Sequence, residues 1–481
     1  MARGIRQLRG LTLALVVASP ACLACLACLA SLAFASAAAA SPPRLTVTWM
    51  KGYAAPGTPA KYDKVGVIKV GARSARNVLV LEPGTSGGAA YFVPLAKWIV
   101  SRQPGWQVWS VERRENLLED QSVLEQAKQG TVNATQLFDY YLGWISDHSI
   151  TTHFQFIPNA SVAFAKQWGM TVAVQDLHAV IGAARRLGGK VVLGGHSLGG
   201  SVVTAYATWD FAGSPGAAAL SGLVYIDGGS FGGESAAAAR EALAKLAPAS
   251  SSPWLAFGGI TAPLAGLLNA IGSEAALIDP NGVSGAQASG LLTPFGLAPK
   301  VPVTNLGQYG FALNVPTSPA GLIAAQAHLG RGLITTGSPP YGWNGTGALT
   351  PITRYATMFS GSGITGADGT EWYFPARLTV DTAAVDNGVA NPAQKVLGER
   401  ATMGRKLPRS LRIYAFGAAL TGPKLLLMKA TRALARQSHI PARNLTLVNE
   451  PSYAHNDPAG AYPHNIFFSH LIPFLHTIAA H

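Results

Sequence analysis

Cysteine is confined to Cys22, Cys25 and Cys28 in a chain of 481 residues. Beyond residue 28 there can be no disulfide, no thiolate metal ligand and no cysteine nucleophile. Charge is scarce too, at 12% against 48% hydrophobic residues, which excludes a disordered, solvated chain and points to a well-buried globular one. Lys and Arg outnumber Asp and Glu by 36 to 23, for a formal charge of +13, but they are scattered. Their densest group, Arg400, Arg405, Lys406, Arg409 and Arg412, precedes an apolar run and reads as the solvated approach to a strand rather than a nucleic-acid surface. Also missing are metal-ligand spacing, a dinucleotide fingerprint and a phosphate loop, since the glycines at 84, 87 and 88 lack the Lys-Ser/Thr ending. No cofactor, no metal and no nucleic-acid partner is expected.

The N-terminus explains where the cysteines sit. Arg3, Arg6 and Arg9 precede an uncharged stretch over residues 11–34, and small residues follow over 35–40. This is the order of a secretory signal, expected over residues 1–40. Pro20, the many alanines and the small-residue end favour cleavage over a retained anchor. No leucine stands three residues before any of the cysteines, which argues against lipid attachment. The expected location is secreted or periplasmic, with a mature chain that has no cysteine. Nothing in the sequence speaks to its oligomeric state.

Two alternating stretches, 45–49 and 65–70, read as antiparallel edge strands. Apolar runs then alternate with helical patterns: 77–81, a helix over 91–101, a strand over 106–111, a helix over 171–187, and strands over 191–193 and 223–226. The alternation stops for about 180 residues. It resumes with a strand over 411–416, a helix over 424–437, a strand over 445–448 and a last helix over 463–478. Strand and helix in turn signify a mostly parallel sheet with helices on both faces. The interruption is too long for a loop, so residues 230–405 are expected to be a mainly helical inserted cap between core segments 41–229 and 406–481. Residues 254–272 carry no charge; Pro263, Asn269 and the glycines there point to a buried or lid helix pair rather than a membrane span. Beside a serine site, so much apolar insertion suggests a cover for an apolar ligand.

The apolar run at 191–193 breaks into Gly194-Gly195-His196-Ser197-Leu198-Gly199-Gly200, which fits G-x-S-x-G. Such a turn from strand into helix holds its serine in a strained conformation with the hydroxyl outward. A serine needs a base, and the base a partner that sets its tautomer. His455 lies in the loop after the last strand. Loops at the carboxyl ends of parallel strands open on one edge of the sheet, so His455 and Ser197 can converge. His464 competes from the start of the final helix, and His196 should point away from the nucleophile. With the loop Pro83-Gly-Thr-Ser-Gly-Gly88 after an earlier strand, this series resembles the α/β-hydrolase superfamily over about 70–230 and 408–481. The resemblance implies an oxyanion hole from the N–H of Leu198 with that of Thr85 or Ser86. Glycines around those two residues would let their amides approach a substrate oxygen.

The sequence departs from that pattern at the third member. The superfamily usually places an acid after the penultimate strand, yet residues 417–423 contain no carboxylate. A minority carries it after the strand that follows the nucleophile, which here is Asp227; Glu450, Asp457, Asp381 and Asp386 stay open as alternatives. The expectation is a secreted serine hydrolase, esterase- or lipase-like, using Ser197, His455 and Asp227 through an acyl-enzyme. Its partner would be a small-molecule or lipid ester with an apolar portion, with transient contact to a membrane or lipid surface left open. An aminopeptidase or amidase on the same core, and a non-catalytic binding member of the fold, are the alternatives.

Overall fold

The structure, a computed structural model, describes residues 44–257 and 259–481; the expected signal at 1–40 lies outside them. Eight strands form the main sheet: β1 (Leu45–Lys51), β2 (Lys64–Val70), β3 (Asn77–Glu82), β4 (Trp106–Glu112), β5 (Val191–His196), β6 (Gly222–Ile226), β7 (Arg412–Gly417) and β8 (Leu445–Asn449). Their order is β1-β2-β4-β3-β5-β6-β7-β8. Strand β2 runs antiparallel to β1 and β4, and every other neighbouring pair is parallel. The expected mostly parallel sheet is therefore present, and both expected strands are antiparallel, but only β1 is an edge: β2, expected at the edge too, is paired on both sides, with β1 and β4.

Side-chain alternation along the strands divides the core in two. On β3, Val78 and Val80 face one cluster, while Leu79 and Leu81 face the other. On β5, Val191 and Leu193 again oppose Val192. Both faces need cover, which is why these strands are apolar throughout. Helices α1 (Val93–Arg102), α2 (Met170–Arg185) and α3 (Leu198–Thr208) follow in the first core segment, α4 (Ala262–Ile278) and α5 (Ile352–Ser360) in the insertion, and α6 (Leu426–Gln437) and α7 (Ile466–Ala479) near the end. Helices α2, α3 and α6 bury their apolar stripes against one face, and α1 and α7 against the other.

The described residues form one compact unit. The insertion supplies Trp254, Leu267, Trp372 and Phe374 to one cluster and Tyr309, Tyr355 and Phe359 to the other, so it packs into both sides of the core. Its 254–272 stretch is not a helix pair. A short hairpin, Ala256–Phe257 with Ile260–Thr261, leads into the single helix α4. Pro263 sits in the first turn of that helix, where a missing N–H costs nothing, and Gly266 lets its backbone lie against Trp372. Among the described residues no helix is long and apolar enough to cross a membrane. The final helix begins at Ile466 rather than 463 because the Asn465 side chain accepts from the Phe468 N–H at 3.0 Å and caps it.

Candidate active site

The turn between β5 and α3 places Ser197. Its φ is 56° and its ψ −127°, a conformation an L-residue holds only under constraint. The constraint is steric. A side chain at Gly195 would overlap the Gly199 backbone, one at Gly199 the Glu82 and Pro83 carbonyls, and one at Gly228 the Ser197 backbone. The Ser197 N–H donates to the Ile226 carbonyl at 3.0 Å, which ties the turn to the end of β6. The first N–H groups of α3 are left facing the site, and that of Leu198 has no acceptor among the described residues.

Asp227 follows β6 directly, also at positive φ, 44°. Its carboxylate is fully buried and accepts five hydrogen bonds. Oδ1 receives the Ala418 N–H at 2.8 Å, the Thr421 N–H at 3.0 Å and the Thr421 hydroxyl at 2.6 Å. Oδ2 receives the Leu420 N–H at 3.1 Å and His455 Nδ1 at 2.7 Å. Burial alone would raise its pKa. The bonds and charge of His455 with those from Thr421 and Ala418 overcome that and hold it down at about 2. The loop after β7, which has no acid of its own, thus cradles the acid from β6.

His455 is itself buried, 1% exposed. With Nδ1 on Asp227, the other ring nitrogen, Nε2, is buried without a hydrogen-bond partner among the described residues, and no bond links it to the Ser197 hydroxyl. The His196 side chain makes no hydrogen bond to Ser197 among the described residues and contacts His455 and Tyr91 instead. Its Nε2 lies 2.9 Å from the His455 carbonyl, and its ring stacks on Tyr91 with centroids 5.2 Å apart. Burial and the neighbouring His455 push its pKa down to about 3, so the neutral ring donates to that carbonyl and fixes the His455 backbone.

The loop after β3 lies against the nucleophile: an added Cβ at Gly84 would stand 2.8 Å from Ser197 Cβ. Ser86 has φ 51°, making it the third strained residue of the site. The Thr85 and Ser86 N–H groups have no acceptor among the described residues, and the Ser86 hydroxyl is buried without a partner. Those amides and that of Leu198 are donors without an acceptor among the described residues.

The competing residues lie elsewhere. Asp457 holds His328 from the insertion at 2.6 Å and the Thr350 hydroxyl at 2.7 Å. Asp381 pairs with Arg377 at 2.6 Å. Glu450 accepts from Ser452, Asp386 opens a short turn in the insertion, and His464 is exposed in the loop before α7. None of the four carboxylates contacts His455. Sequence reasoning passed over Arg113, which stands beneath the loop after β3. The signal was there in Glu112-Arg113-Arg114-Glu115, four consecutive charges at the end of a buried strand in a charge-poor chain. It passed over the Asp457–His328 pair as well, which no local pattern marks.

No family model matches the chain, and no curated protein does. Solved structures align over most of it at low identity. A thioesterase domain from the curacin biosynthetic pathway is 10% identical, covering 90% of this chain and 99% of its own, with a TM-score of 0.40. An epoxide hydrolase from Vigna radiata is 14% identical, covering 90% and 98%, at 0.38. A carboxyl esterase from Bacillus coagulans is 12% identical, covering 91% and 100%, at 0.35. At such scores the fold rests on this chain's own strand order and on the turn around Ser197.

Proposed function

Starting from the α/β-hydrolase fold that this sheet and turn define, we propose that the chain is an exported serine hydrolase cleaving carboxylic esters with an apolar portion. One observation carries the reading: His455 is tied through Nδ1 to a buried, ionised Asp227 and keeps Nε2 buried and unpartnered, while its backbone is held by His196, the residue before the strained Ser197. That is what a general base needs, an orienting anion on one nitrogen and a lone pair on the other. Ser197 Oγ attacks the ester carbonyl carbon, its proton passes to His455 Nε2, and the carbonyl electron pair moves onto oxygen. The Leu198 N–H with that of Thr85 or Ser86 receives this oxyanion. Collapse expels the alkoxide, which takes the proton from His455, and water repeats the sequence on the acyl-enzyme.

The non-catalytic alternative rested on the absent acid after β7, and the Asp227–His455 bond supports turnover instead. Apolar substrate preference draws support from the rim of the site. Leu420, whose amide bonds Asp227, is 40% exposed, as are Phe231 at 39%, Leu425 at 44% and Leu426 at 36%. Lys424, Lys429 and Arg432 are exposed on the same stretch, a composition suited to transient contact with a lipid–water surface. The test is a p-nitrophenyl ester series of rising acyl length, with and without dispersed lipid, on wild type and Ser197→Ala. Stoichiometric labelling of wild type by a fluorophosphonate is expected. Ester turnover by Ser197→Ala within about tenfold of wild type would sink the proposal.

A further inference from the structure

The guanidinium of Arg113 lies beneath the loop between β3 and α1, 6% exposed. Its Nη1 donates to the Pro83 carbonyl at 3.0 Å, and its Nη2 to those of Gly84 at 2.9 Å and Gly87 at 3.0 Å. The remaining donors go to carboxylates, Nη1 to Glu82 at 2.8 Å and Nε to Glu371 at 2.9 Å, and one Nη2 hydrogen is shared with the same Glu371 oxygen. Three carbonyls of one short loop are therefore drawn to one planar cation. In a trans peptide the C=O and the following N–H point in opposite directions. Fixing the Gly84 carbonyl on Arg113 turns the Thr85 N–H away from it, and fixing that of Gly87 does the same for the Gly88 N–H. The Gly88 N–H then finds the Gly369 carbonyl at 3.0 Å. The Thr85 N–H finds no acceptor, on a loop already packed against Ser197.

From this geometry we infer that Arg113 is a positioning residue for oxyanion stabilisation: it sets the orientation of the Thr85 amide, and Glu371 of the insertion holds Arg113 in place. A lysine cannot replace it, because only the planar fork reaches three carbonyls and two carboxylates together. The insertion thereby acts on the donor geometry as well as covering the sheet, since the Glu371 N–H also donates to the Ser86 carbonyl at 2.9 Å. This inference rests on the ester-hydrolase reading of Ser197.

The test uses the full mature chain with p-nitrophenyl butyrate as substrate and an alkyl trifluoromethyl ketone as probe. Addition of Ser197 Oγ to the ketone carbon makes a hemiketal oxyanion, with the hydroxyl proton passing to His455. A preorganised oxyanion donor is worth about 10²–10³-fold in rate. Misorienting one amide in Arg113→Lys should lower kcat by about 10- to 100-fold, leave KM within about twofold, and weaken the ketone in parallel with kcat. If Arg113→Lys does not fold, Glu371→Gln keeps the guanidinium and removes its partner's charge; kcat and ketone affinity should then fall together by about three- to tenfold. A lower melting temperature with kcat and ketone affinity unchanged, in whichever variant folds, would show a purely structural arginine and overturn the inference. A wild-type chain that binds the ketone but turns over no ester would remove the ester reading, while the ketone affinities still decide the role of Arg113.

Discussion

Asp227 and the carboxylates around Arg113 are all buried, and they have opposite fates. Asp227 accepts five hydrogen bonds and is held down at about 2. Around Arg113, each carboxylate has fewer donors. Glu112 has the Ala89 N–H at 2.6 Å and the Asn116 amide, and burial pushes it up to about 8. Glu82 and Glu371 share one guanidinium, one oxygen of Glu371 has no partner, and burial pushes both up to about 7. Burial is the same for all four. What differs is the number of N–H and O–H groups aimed at the anion, and that number decides which acid is ionised at neutral pH. The role proposed for Asp227 requires an anion, and the loop around it is built of donors. Among the acids under the loop after β3, Glu112 is largely protonated at neutral pH, while Glu82 and Glu371, at about 7, are part-ionised and leave Arg113 a charged partner.

The comparison breaks most severely at Asp227. In Asp227→Asn the shape stays but the acceptor for His455 Nδ1 becomes an amide that can present N–H instead, which favours the wrong tautomer. Loss of about 10⁴ in kcat on a short aryl ester is expected, with the far-ultraviolet spectrum unchanged. Full turnover by this variant would remove Asp227 from the mechanism.

The other side of the comparison is read from stability against pH. Glu112, Glu82 and Glu371 have folded pKa values above their ordinary 4.5. The stability they contribute is complete below about 4.5 and is lost as pH rises through about 7 and then about 8. Asp227 does the reverse: its contribution is present above its ordinary 3.8 and disappears only as pH falls through about 2. Urea midpoints should therefore fall steadily from pH 5 to pH 9. Glu112→Gln, neutral throughout, should flatten that slope by on the order of 3 kcal/mol across the interval. An unchanged slope would mean that Glu112 is ionised in the folded chain.

The same contrast explains how much was legible in the sequence. Strand and helix alternate in the core because apolar runs end at glycine turns, and both signals are local. Ser197 and His455 could be placed from position alone, since carboxyl-end loops share one edge of a parallel sheet. Asp227 stood out because residues 417–423 lack an acid; that those residues would instead supply its N–H donors is a matter of backbone direction, which composition does not encode. Arg113 was harder still, as its partner Glu371 lies 258 residues away inside the insertion. The insertion itself mixes short helices and two-residue strands, so its 254–272 stretch showed apolar content without a period that could separate a hairpin and one helix from two helices.

The smallest effect tests the donor argument most directly. Thr421→Val removes one hydroxyl from Asp227 and keeps the side chain's volume at a buried position. A hydrogen bond to a charged group is worth about 1.5–3 kcal/mol, and the Ala418 and Thr421 amides still serve the same oxygen, so about 1–2 kcal/mol of stability should go. With four donors instead of five, the Asp227 pKa should rise from about 2 toward 3.8, and the acid-side loss of stability should begin at higher pH than in wild type. Ester turnover should fall only a few-fold, because the His455 bond remains. An acid limb that does not move would mean that the hydroxyl is incidental, and that the backbone amides alone keep this carboxylate ionised.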